Sequence, residues 1–379
     1  MSIKGFETVA SISFHRADLM YALIELSKVI KKSSSIWECV AVTMKDGNAV
    51  LSGSDMKTQM SIKVACQQVG ESPNFVFQFF KVFTYLKLCK SSEIVTFTYE
   101  DNKVHVTVDN LKSRSTTNAL NYEDYVWLEG EKPIQKIKLP CHLVGVSMSN
   151  ILHAAAKDLN VPARFQGVHI DMAKGILSLA TTDGYQLSGC DTSTDDDTQS
   201  LYNSWIIPVA ASEVIQKICE SHNDLDVVFG ASENTFILSV GNMKVVFKLQ
   251  SAIYPDLHKV IKREYANHAV FSRKEMLDAM KTMRSLIKDD KLKRFTIDIA
   301  SSGMTVSIHN AVKESGESSI SLIEQGDDIE ITLNFDYLEG ALNSLECENV
   351  HMGYNNAQDS VRLYSSDNTG HLNIIMPMR

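Results

Sequence analysis

Three adjacent carboxylates in the stretch CDTSTDDDTQS are the first residues here whose type and spacing suggest chemistry. Asp195, Asp196 and Asp197 offer the oxygen ligands that Mg²⁺ prefers. Consecutive residues of a polar loop point in different directions, however, and seldom converge on one ion. The stretch therefore predicts a solvated loop, and we expect no metal or other cofactor.

Other candidate catalytic residues are isolated. Asp183 in TTDGYQ could act as a catalytic acid. Asp-Gly is a common turn dipeptide, however, and a role in a turn explains this aspartate more simply. None of the eleven histidines is spaced to pair with a nucleophile or a second ligand. The motifs GxxxxGK[ST], GxGxxG, HExxH and GxSxG are missing from the sequence. We predict no catalytic residues and a protein that is not an enzyme.

Composition narrows the class of protein. Of the 379 residues, 44% are hydrophobic and 22% charged, as in globular proteins. No apolar run approaches the ~20 residues that span a bilayer, and no signal-peptide pattern opens the chain, so a cytoplasmic protein is expected. Seven scattered cysteines without a CxxC pair favour buried thiols over disulfides or zinc.

Charge leaves two interpretations open. The net charge of −9 argues against a basic surface overall. Lys and Arg nevertheless cluster, around Lys28, around Lys87 and from Lys281 to Arg294. Such clusters are typical either of solvated helix faces or of a local surface that contacts phosphates.

The elements that must position these residues recur in one order three times. Each copy opens with an amphipathic helix pattern, beginning at Ile12, Ile137 and Ala269. Two strands follow, joined by Asp-Gly, Lys-Gly or Ser-Gly, and then a strand that leads into a second helix from residues 75, 205 and 331. A meander of alternating apolar and polar residues closes each copy. This pattern predicts an α+β fold of three similar domains, at 1–128, 129–258 and 259–379.

Several of these segments resemble the bacterial DNA polymerase III beta subunit family, the beta sliding clamps. The similar stretches are LSGSDMKTQMSIKV, TTDGYQLSG, SWIIPVAASEVIQKI, YPDLHKVI, LNFDYLEGALNSLECENVHM and IIMPMR. The resemblance covers essentially the whole chain and is strongest from about residue 165 onward. It implies a ring-shaped homodimer of clamp domains, with helices lining a central pore around duplex DNA and antiparallel sheets outside.

Within this resemblance, the basic clusters become candidates for contact with the DNA backbone, which would be independent of sequence and sensitive to salt. The DNA-facing candidates are Lys28, Lys31, Lys32, Lys81, Lys87, Lys157, Arg164, Lys217, Lys281, Arg284 and Lys288. In the loop NVPARF, Pro162 and Ala163 stand where several family members carry Arg and Tyr. Arg164 is the cation left in that loop.

The resemblance also implies a hydrophobic cleft, between the second and third domains, that docks short peptides of partner proteins. Its residues would be Phe165, Thr182, Gly184, Tyr185, Gln186, Leu187, Pro255, Lys259, Val260, Gln358, Ser360, Ile374, Met376, Pro377 and Met378. Tyr185 and Gln186 stand where the family commonly carries His and Arg, so peptide preference is expected to differ. From the residues alone, the segment from Ile374 to Met378 would instead be interpreted as an edge strand packed on its own sheet.

A dimer interface is implied between the first domain of one chain and the third domain of the other. Its candidates are Lys112, Arg114, Ser115, Thr117, Leu286, Ile287 and Leu292. An edge rich in Ser and Thr is also typical of a monomer. The expected partners are double-stranded DNA, the replicative polymerase, repair polymerases and other proteins with clamp-binding motifs, a clamp loader ATPase and a second copy of the chain. The alternative is a clamp-like module that binds peptides without encircling DNA.

Overall fold

The computed structural model describes residues 11–32, 36–70, 74–90, 93–128, 130–156, 158, 160–194, 204–249, 254, 261, 264–287, 292–309 and 315–378. Lys157, Pro255, Lys259, Val260, Lys288 and the Asp195 to Asp197 triplet lie outside these residues. The chain forms two compact units, one of Met1–His142 with Lys217–Leu249 and one of Leu143–Gln216 with Gln250–Arg379. Within the described ranges, no helix combines the length and apolar character needed to cross a membrane.

The helices follow the predicted order, two in each copy of the repeat. They are α1 (Arg16–Leu26), α2 (Phe79–Leu88), α3 (Cys141–Ile151), α4 (Val209–Ser221), α5 (Arg273–Met283) and α6 (Phe335–Ser344). The apolar spacing in the first copy is confirmed, because Leu19, Leu23 and Leu26 are buried on one face of α1.

The strands are mostly short and follow the predicted hairpins and meanders. The first thirteen are β1 (Ser11–His15), β2 (Cys39–Lys45), β3 (Asn48–Ser54), β4 (Thr58–Ala65), β5 (Gln67–Val69), β6 (Phe75–Gln78), β7 (Ile94–Glu100), β8 (Lys103–Val108), β9 (Arg114–Asn118), β10 (Gln135–Pro140), β11 (Gly167–Ala173), β12 (Ile176–Thr182) and β13 (Gln186–Ser193). The next thirteen are β14 (Trp205–Pro208), β15 (Asp226–Ala231), β16 (Thr235–Val240), β17 (Met243–Lys248), β18 (Asn267–Ser272), β19 (Arg294–Ala300), β20 (Gly303–His309), β21 (Ser315–Ile320), β22 (Leu322–Glu324), β23 (Ile329–Asn334), β24 (Asn349–Tyr354), β25 (Val361–Tyr364) and β26 (His371–Ile375).

The start of each copy corrects one expectation. The helix patterns predicted from Ile12, Ile137 and Ala269 begin with strands, which are β1, β10 and β18. In β1 the buried residues alternate with more exposed ones, at Ile12 and Phe14, and this period of two favours a strand before the helical spacing takes over.

The sheets are antiparallel, and two of them join strands of successive copies. In the first unit the described strands form the orders β5-β1-β7-β8-β9 and β10-β15-β16-β17-β4-β3-β2-β6. In the second unit they form β14-β11-β12-β13-β26-β25-β24-β18-β22 and β21-β20-β19-β23. The joins are β17 with β4, where Met243 faces Ile62, and β13 with β26, where Leu187 faces Ile374. The compact units therefore divide the second copy, and the three-domain boundaries stay a prediction.

Two of the predicted hairpin turns have the backbone that their residues favour. Asp46 and Gly47 have φ of +52° and +74°, and Lys174 and Gly175 have φ of +50° and +73°. Positive φ at both central residues is the turn that matches the twist of the flanking strands, and glycine adopts it without strain. These turns fix the registers of β2 with β3 and of β11 with β12.

A buried histidine lies where β26 joins β13. His371 is 2% exposed and stands opposite Cys190, with its Nε2 3.3 Å from the Ser188 hydroxyl. Burial lowers the pKa of His371 to about 4, although a hydrogen bond with the Asn150 backbone opposes this. A buried imidazole resists charging because the charged form loses its hydration.

This histidine predicts a loss of stability in mild acid. Its pKa is lower in the folded chain than the ~6.5 of an unfolded one, so the unfolded chain binds the proton first as the pH falls from about 6.5 towards 4. Between pH 7 and pH 5 this costs about 2 kcal/mol of unfolding free energy. Urea unfolding of His371→Gln at both pH values should show a drop smaller by that amount.

His268 is exposed, so the variant His268→Gln serves as the matched control for that measurement. An equal drop in the wild type and in His371→Gln would mean that His371 is already protonated in the folded protein at pH 5.

Candidate functional site

The loop between β12 and β13 is held by its own side chains. Asp183 Oδ1 accepts hydrogen bonds from the backbone N–H groups of Tyr185 and Gln186, both at 2.9 Å, which confirms its predicted turn role. Thr182 Oγ1 donates to the Gln186 carbonyl at 2.5 Å and accepts from the Gly184 N–H at 3.0 Å. Gly184 has φ of +96°, a conformation that other residues rarely adopt. The loop leaves Tyr185 68% exposed.

The end of the chain lies against this loop. The Met376 N–H donates to the Tyr185 carbonyl at 2.9 Å, and the Met378 N–H donates to the Thr332 carbonyl at 2.8 Å. Ile374 is buried, whereas Met376 is 40% exposed. Because β26 is paired with β13 on one side and β25 on the other, the interpretation of this segment as an edge strand is wrong.

Other predicted cleft residues lie around the same loop. The ring of Phe165 lies 3.8 Å from the position that a Cβ on Gly184 would occupy, so it covers the turn closely. Ser360 is buried just before β25, and Gln358 is exposed. The structure thus brings together the loop, the chain end and Phe165, while the assignment of these residues to peptide binding stays a prediction.

A cavity of about 310 Å³ opens beside Tyr185 and Gln186. Its lining combines carboxylates, tyrosines and small apolar side chains. The lining residues are His153, Ala155, Ala156, Asp158, Val161, Asp183, Tyr185, Gln186, Asp336 and Tyr337. Only two of them, Tyr185 and Gln186, are among the predicted cleft residues. Asp183 lies in the same loop but was predicted only as a turn residue, and the others come from segments distant in sequence.

The first turn of α6 positions Asp336 and Tyr337, two cavity-lining residues that were not predicted from the sequence. The Asn334 side chain caps this helix by accepting hydrogen bonds from the backbone N–H groups of Asp336 at 2.9 Å and Tyr337 at 3.3 Å. Further along α6, a Cβ on Gly340 would lie 2.9 Å from the ring of His153, so the bare glycine permits this close approach. The Asn334 cap is the one signal in the sequence that could have drawn attention to Asp336 and Tyr337.

Hydrogen bonds order the polar groups of the cavity. Burial, reinforced by the nearby Asp183 carboxylate, raises the pKa of Tyr337, and its hydroxyl bonds with Asp183. The Gln186 side-chain amide donates to Asp183 Oδ2 at 3.1 Å. Asp336 forms an ion pair with Lys293 at 2.5 Å. Tyr337 is therefore neutral at physiological pH, and the carboxylates supply the negative charge.

Most of the described DNA-facing candidates are exposed. They are Lys31, Lys32, Lys81, Lys87, Arg164, Lys217, Lys281 and Arg284. Arg284 pairs with Glu339, and its guanidinium lies 5.6 Å from the centre of the Phe335 ring. Lys87 Nζ lies 4.1 Å from the centre of the Phe83 ring.

Lys28 differs from the exposed candidates because its ammonium group pairs with a buried carboxylate. Its side chain is 15% exposed, and its Nζ lies 2.7 Å from Oε2 of Glu25, whose side chain is 5% exposed. The same ammonium group donates to the Ser221 hydroxyl at 2.6 Å. Lys28 thus neutralises a buried carboxylate and ties α1 to the last turn of α4.

The predicted interface residues lie at or beside sheet edges. Within the described residues, β9 is the last strand of its sheet and includes Arg114, Ser115 and the buried Thr117. The edge strand β21 packs near Leu286, since a Cβ on Gly316 would lie 2.7 Å from the Leu286 side chain. Lys112 and Leu292 are exposed, whereas Ile287 is buried. Their part in an interface stays a prediction.

Comparison with known proteins gives consistent matches over the chain. Family models of the DNA polymerase III beta subunit match residues 147–256 as its central domain and 258–379 as its C-terminal domain. The beta sliding clamp of Haemophilus influenzae is 21% identical over 372 residues, covering 97% of this chain and 99% of that protein. That of Escherichia coli K12 is 22% identical over 338 residues, covering 88% and 89%.

Among solved structures, the DNA polymerase III subunit beta sliding clamp of Pseudomonas aeruginosa, bound to griselimycin, matches with a TM-score of 0.88 at 18% identity. The match covers 98% of this chain and all of that one. It confirms the predicted α+β clamp fold.

The Lys28 ion pair predicts a stability effect at a position proposed from sequence to face DNA. Lys28→Met leaves Glu25 buried without its cation, which should lower the unfolding free energy by about 1–3 kcal/mol after allowance for the partial exposure of the pair. Lys31→Met is the control, because Lys31 is 73% exposed and 3.9 Å from Asp55. It should change stability by less than about 0.5 kcal/mol in the same urea titration.

The double variant Lys28→Met with Glu25→Leu should regain most of that loss. If Lys28→Met proves as stable as Lys31→Met, the buried pair does not stabilise the protein.

Proposed function

Because this chain belongs to the DNA polymerase III beta subunit family, it is a sliding clamp that acts as a processivity factor, and we propose that it holds its partners at the chain-end cleft. We define this cleft by the loop from Thr182 to Leu187 and the segment from Ile374 to Met378. The observation that carries the proposal is the hydrogen bond from the Met376 N–H to the Tyr185 carbonyl.

The composition of the chain-end cleft suits short peptides. Tyr185 and Met376 are large apolar side chains that remain substantially exposed beside buried neighbours. Exposed apolar surface of this kind is typical of interaction sites. Methionine is flexible and polarisable, which suits a surface that accepts several partners, here the replicative polymerase and repair polymerases in turn.

The proposed contact with DNA rests on exposed cations of the helices. Lys81 and Lys87 of α2, Lys217 of α4 and Lys281 of α5 are exposed, whereas α1 presents no exposed Lys or Arg. We therefore assign the weakest phosphate attraction to α1. Contacts of this type do not read bases, and they weaken as salt rises.

The clamp works, in this proposal, by confinement and without chemistry of its own. Two copies join through the edges that carry β9 and β21, whose outer main-chain groups are available for pairing within the described residues. The closed dimer encircles duplex DNA and remains on it while sliding. A clamp loader ATPase opens the ring, since the sequence lacks a nucleotide-binding motif.

Solution mass tests the dimer. Light scattering across a dilution series should give about twice the chain mass of 42.2 kDa, and the value should persist as the protein is diluted. A monomer at every concentration would remove the encircling mechanism for the isolated protein and would favour a peptide-binding module instead.

Substitution at the chain end tests the cleft. Met376→Ala removes an exposed apolar contact, so binding of a fluorescein-labelled peptide Lys-Leu-Ala-Leu-Phe-amide should weaken about tenfold in fluorescence anisotropy. Met56→Ala is the matched control, since Met56 is also exposed but lies outside the cleft. Equal affinity in the two variants would place peptide binding elsewhere, and the solution mass of both should stay that of the wild type.

A further inference from the structure

The cavity beside the chain-end cleft adds the carboxylates of Asp158 and Asp336 to that of Asp183 in the cleft loop. We propose that it receives a lysine or arginine side chain of the docked peptide and thereby selects partners with a cation next to their apolar anchors. This inference rests on the proposed function, because the peptide must first dock in the chain-end cleft.

The cavity and the cleft share a wall. Tyr185 and Gln186 line the cavity and also belong to the loop that forms the cleft. The Tyr185 carbonyl is the group that holds the Met376 backbone. A peptide lying on Met376 and Tyr185 is therefore beside the cavity mouth, within the reach of a long side chain.

Charge favours a cation there. Asp158, Asp183 and Asp336 line the cavity, and no Lys or Arg stands among the lining residues that the structure describes, which do not include Lys157. Lys293 offsets the charge of Asp336 through their ion pair, and both groups of that pair are partly exposed. The carboxylates of Asp158 and Asp183 are then not offset by any lysine or arginine of the described lining, and an acidic peptide side chain would be repelled.

Two aromatic rings suit the same occupant. Tyr185 and Tyr337 are both in the lining, and tyrosine faces attract ammonium and guanidinium groups within about 6 Å. The pKa of Tyr337 is raised by burial, so its ring stays neutral at physiological pH. The long apolar stem of Lys or Arg can also pack on Ala155, Ala156 and Val161.

The hydrogen bonds of the carboxylates argue against a metal ion as the occupant. Asp183 already accepts from the backbone of Tyr185 and Gln186 and from the Gln186 side chain. Asp158 Oδ1 accepts from the backbone and side-chain nitrogens of Asn160, both at 2.8 Å. A metal needs these oxygens as direct ligands, whereas the charged head of a side chain is attracted at longer range.

Fluorescence anisotropy with matched peptides tests the inference. The probes are fluorescein-labelled X-Leu-Ala-Leu-Phe-amide and Leu-Ala-Leu-Phe-X-amide, in which X is Lys, Arg, norleucine or Glu. Norleucine keeps the apolar stem of lysine without its charge. In at least one of the two series we expect the Lys and Arg peptides to bind at least about fivefold more tightly than the norleucine peptide, with Glu weakest.

Variants assign that preference to the cavity. Asp158→Asn should reduce it. Asp158→Asn with Asp336→Asn should bring it below about twofold, because the second change leaves the Lys293 charge without its carboxylate and so opposes the charge of Asp183. Asp328→Asn, an exposed aspartate outside the lining, should leave the preference unchanged.

Equal binding of the Lys and norleucine peptides in both series would overturn the inference but would not affect the assignment of peptide binding to the chain-end cleft. A preference that survives the double substitution would also overturn it. If no peptide binds the wild-type protein, the cleft assignment fails and this inference fails with it.

Discussion

The pairing of β13 with β26 is the constraint on which the candidate site depends. It sets strands from two successive copies of the repeat side by side, with Gln186 opposite Ile375 and Leu187 opposite Ile374. A shift of one residue would turn each side chain of β26 to the opposite face of the sheet. Ile374 and Ile375, which are both buried, would then lose their present packing partners, and the backbone of Met376 would no longer meet the Tyr185 carbonyl. One strand register therefore builds both the core at this join and the surface beside it.

Much of the fold was predictable because it depends on local patterns. Apolar spacing placed the helices, and the Asp-Gly and Lys-Gly dipeptides placed hairpins whose backbones need positive φ. The boundary errors have a local cause as well, since β1 runs directly into α1 without a break and the helical spacing of Leu19 and Leu23 masks the alternation at Ile12 and Phe14.

The site was less predictable, because its residues meet only through tertiary structure. Asp158, Asp183 and Asp336 come from three segments, and nothing in their local sequence indicates that they line one cavity. Lys28 shows the opposite failure. It belongs to a basic cluster in the sequence, but Glu25 lies three residues earlier, in the last turn of α1, and burial turns the two into a pair. A count of charges cannot separate a cation that serves a buried acid from one that faces a ligand.

Long separation along the chain between β13 and β26 also has a consequence for biosynthesis. A domain made from the N-terminus forms its early hairpins first, and β12 pairs with β13 well before the ribosome reaches His371. Until β26 emerges, one edge of β13 carries unsatisfied main-chain groups next to the buried side chain of Leu187. Until β26 is made, this edge of the nascent chain is therefore open to pairing with strands of other chains.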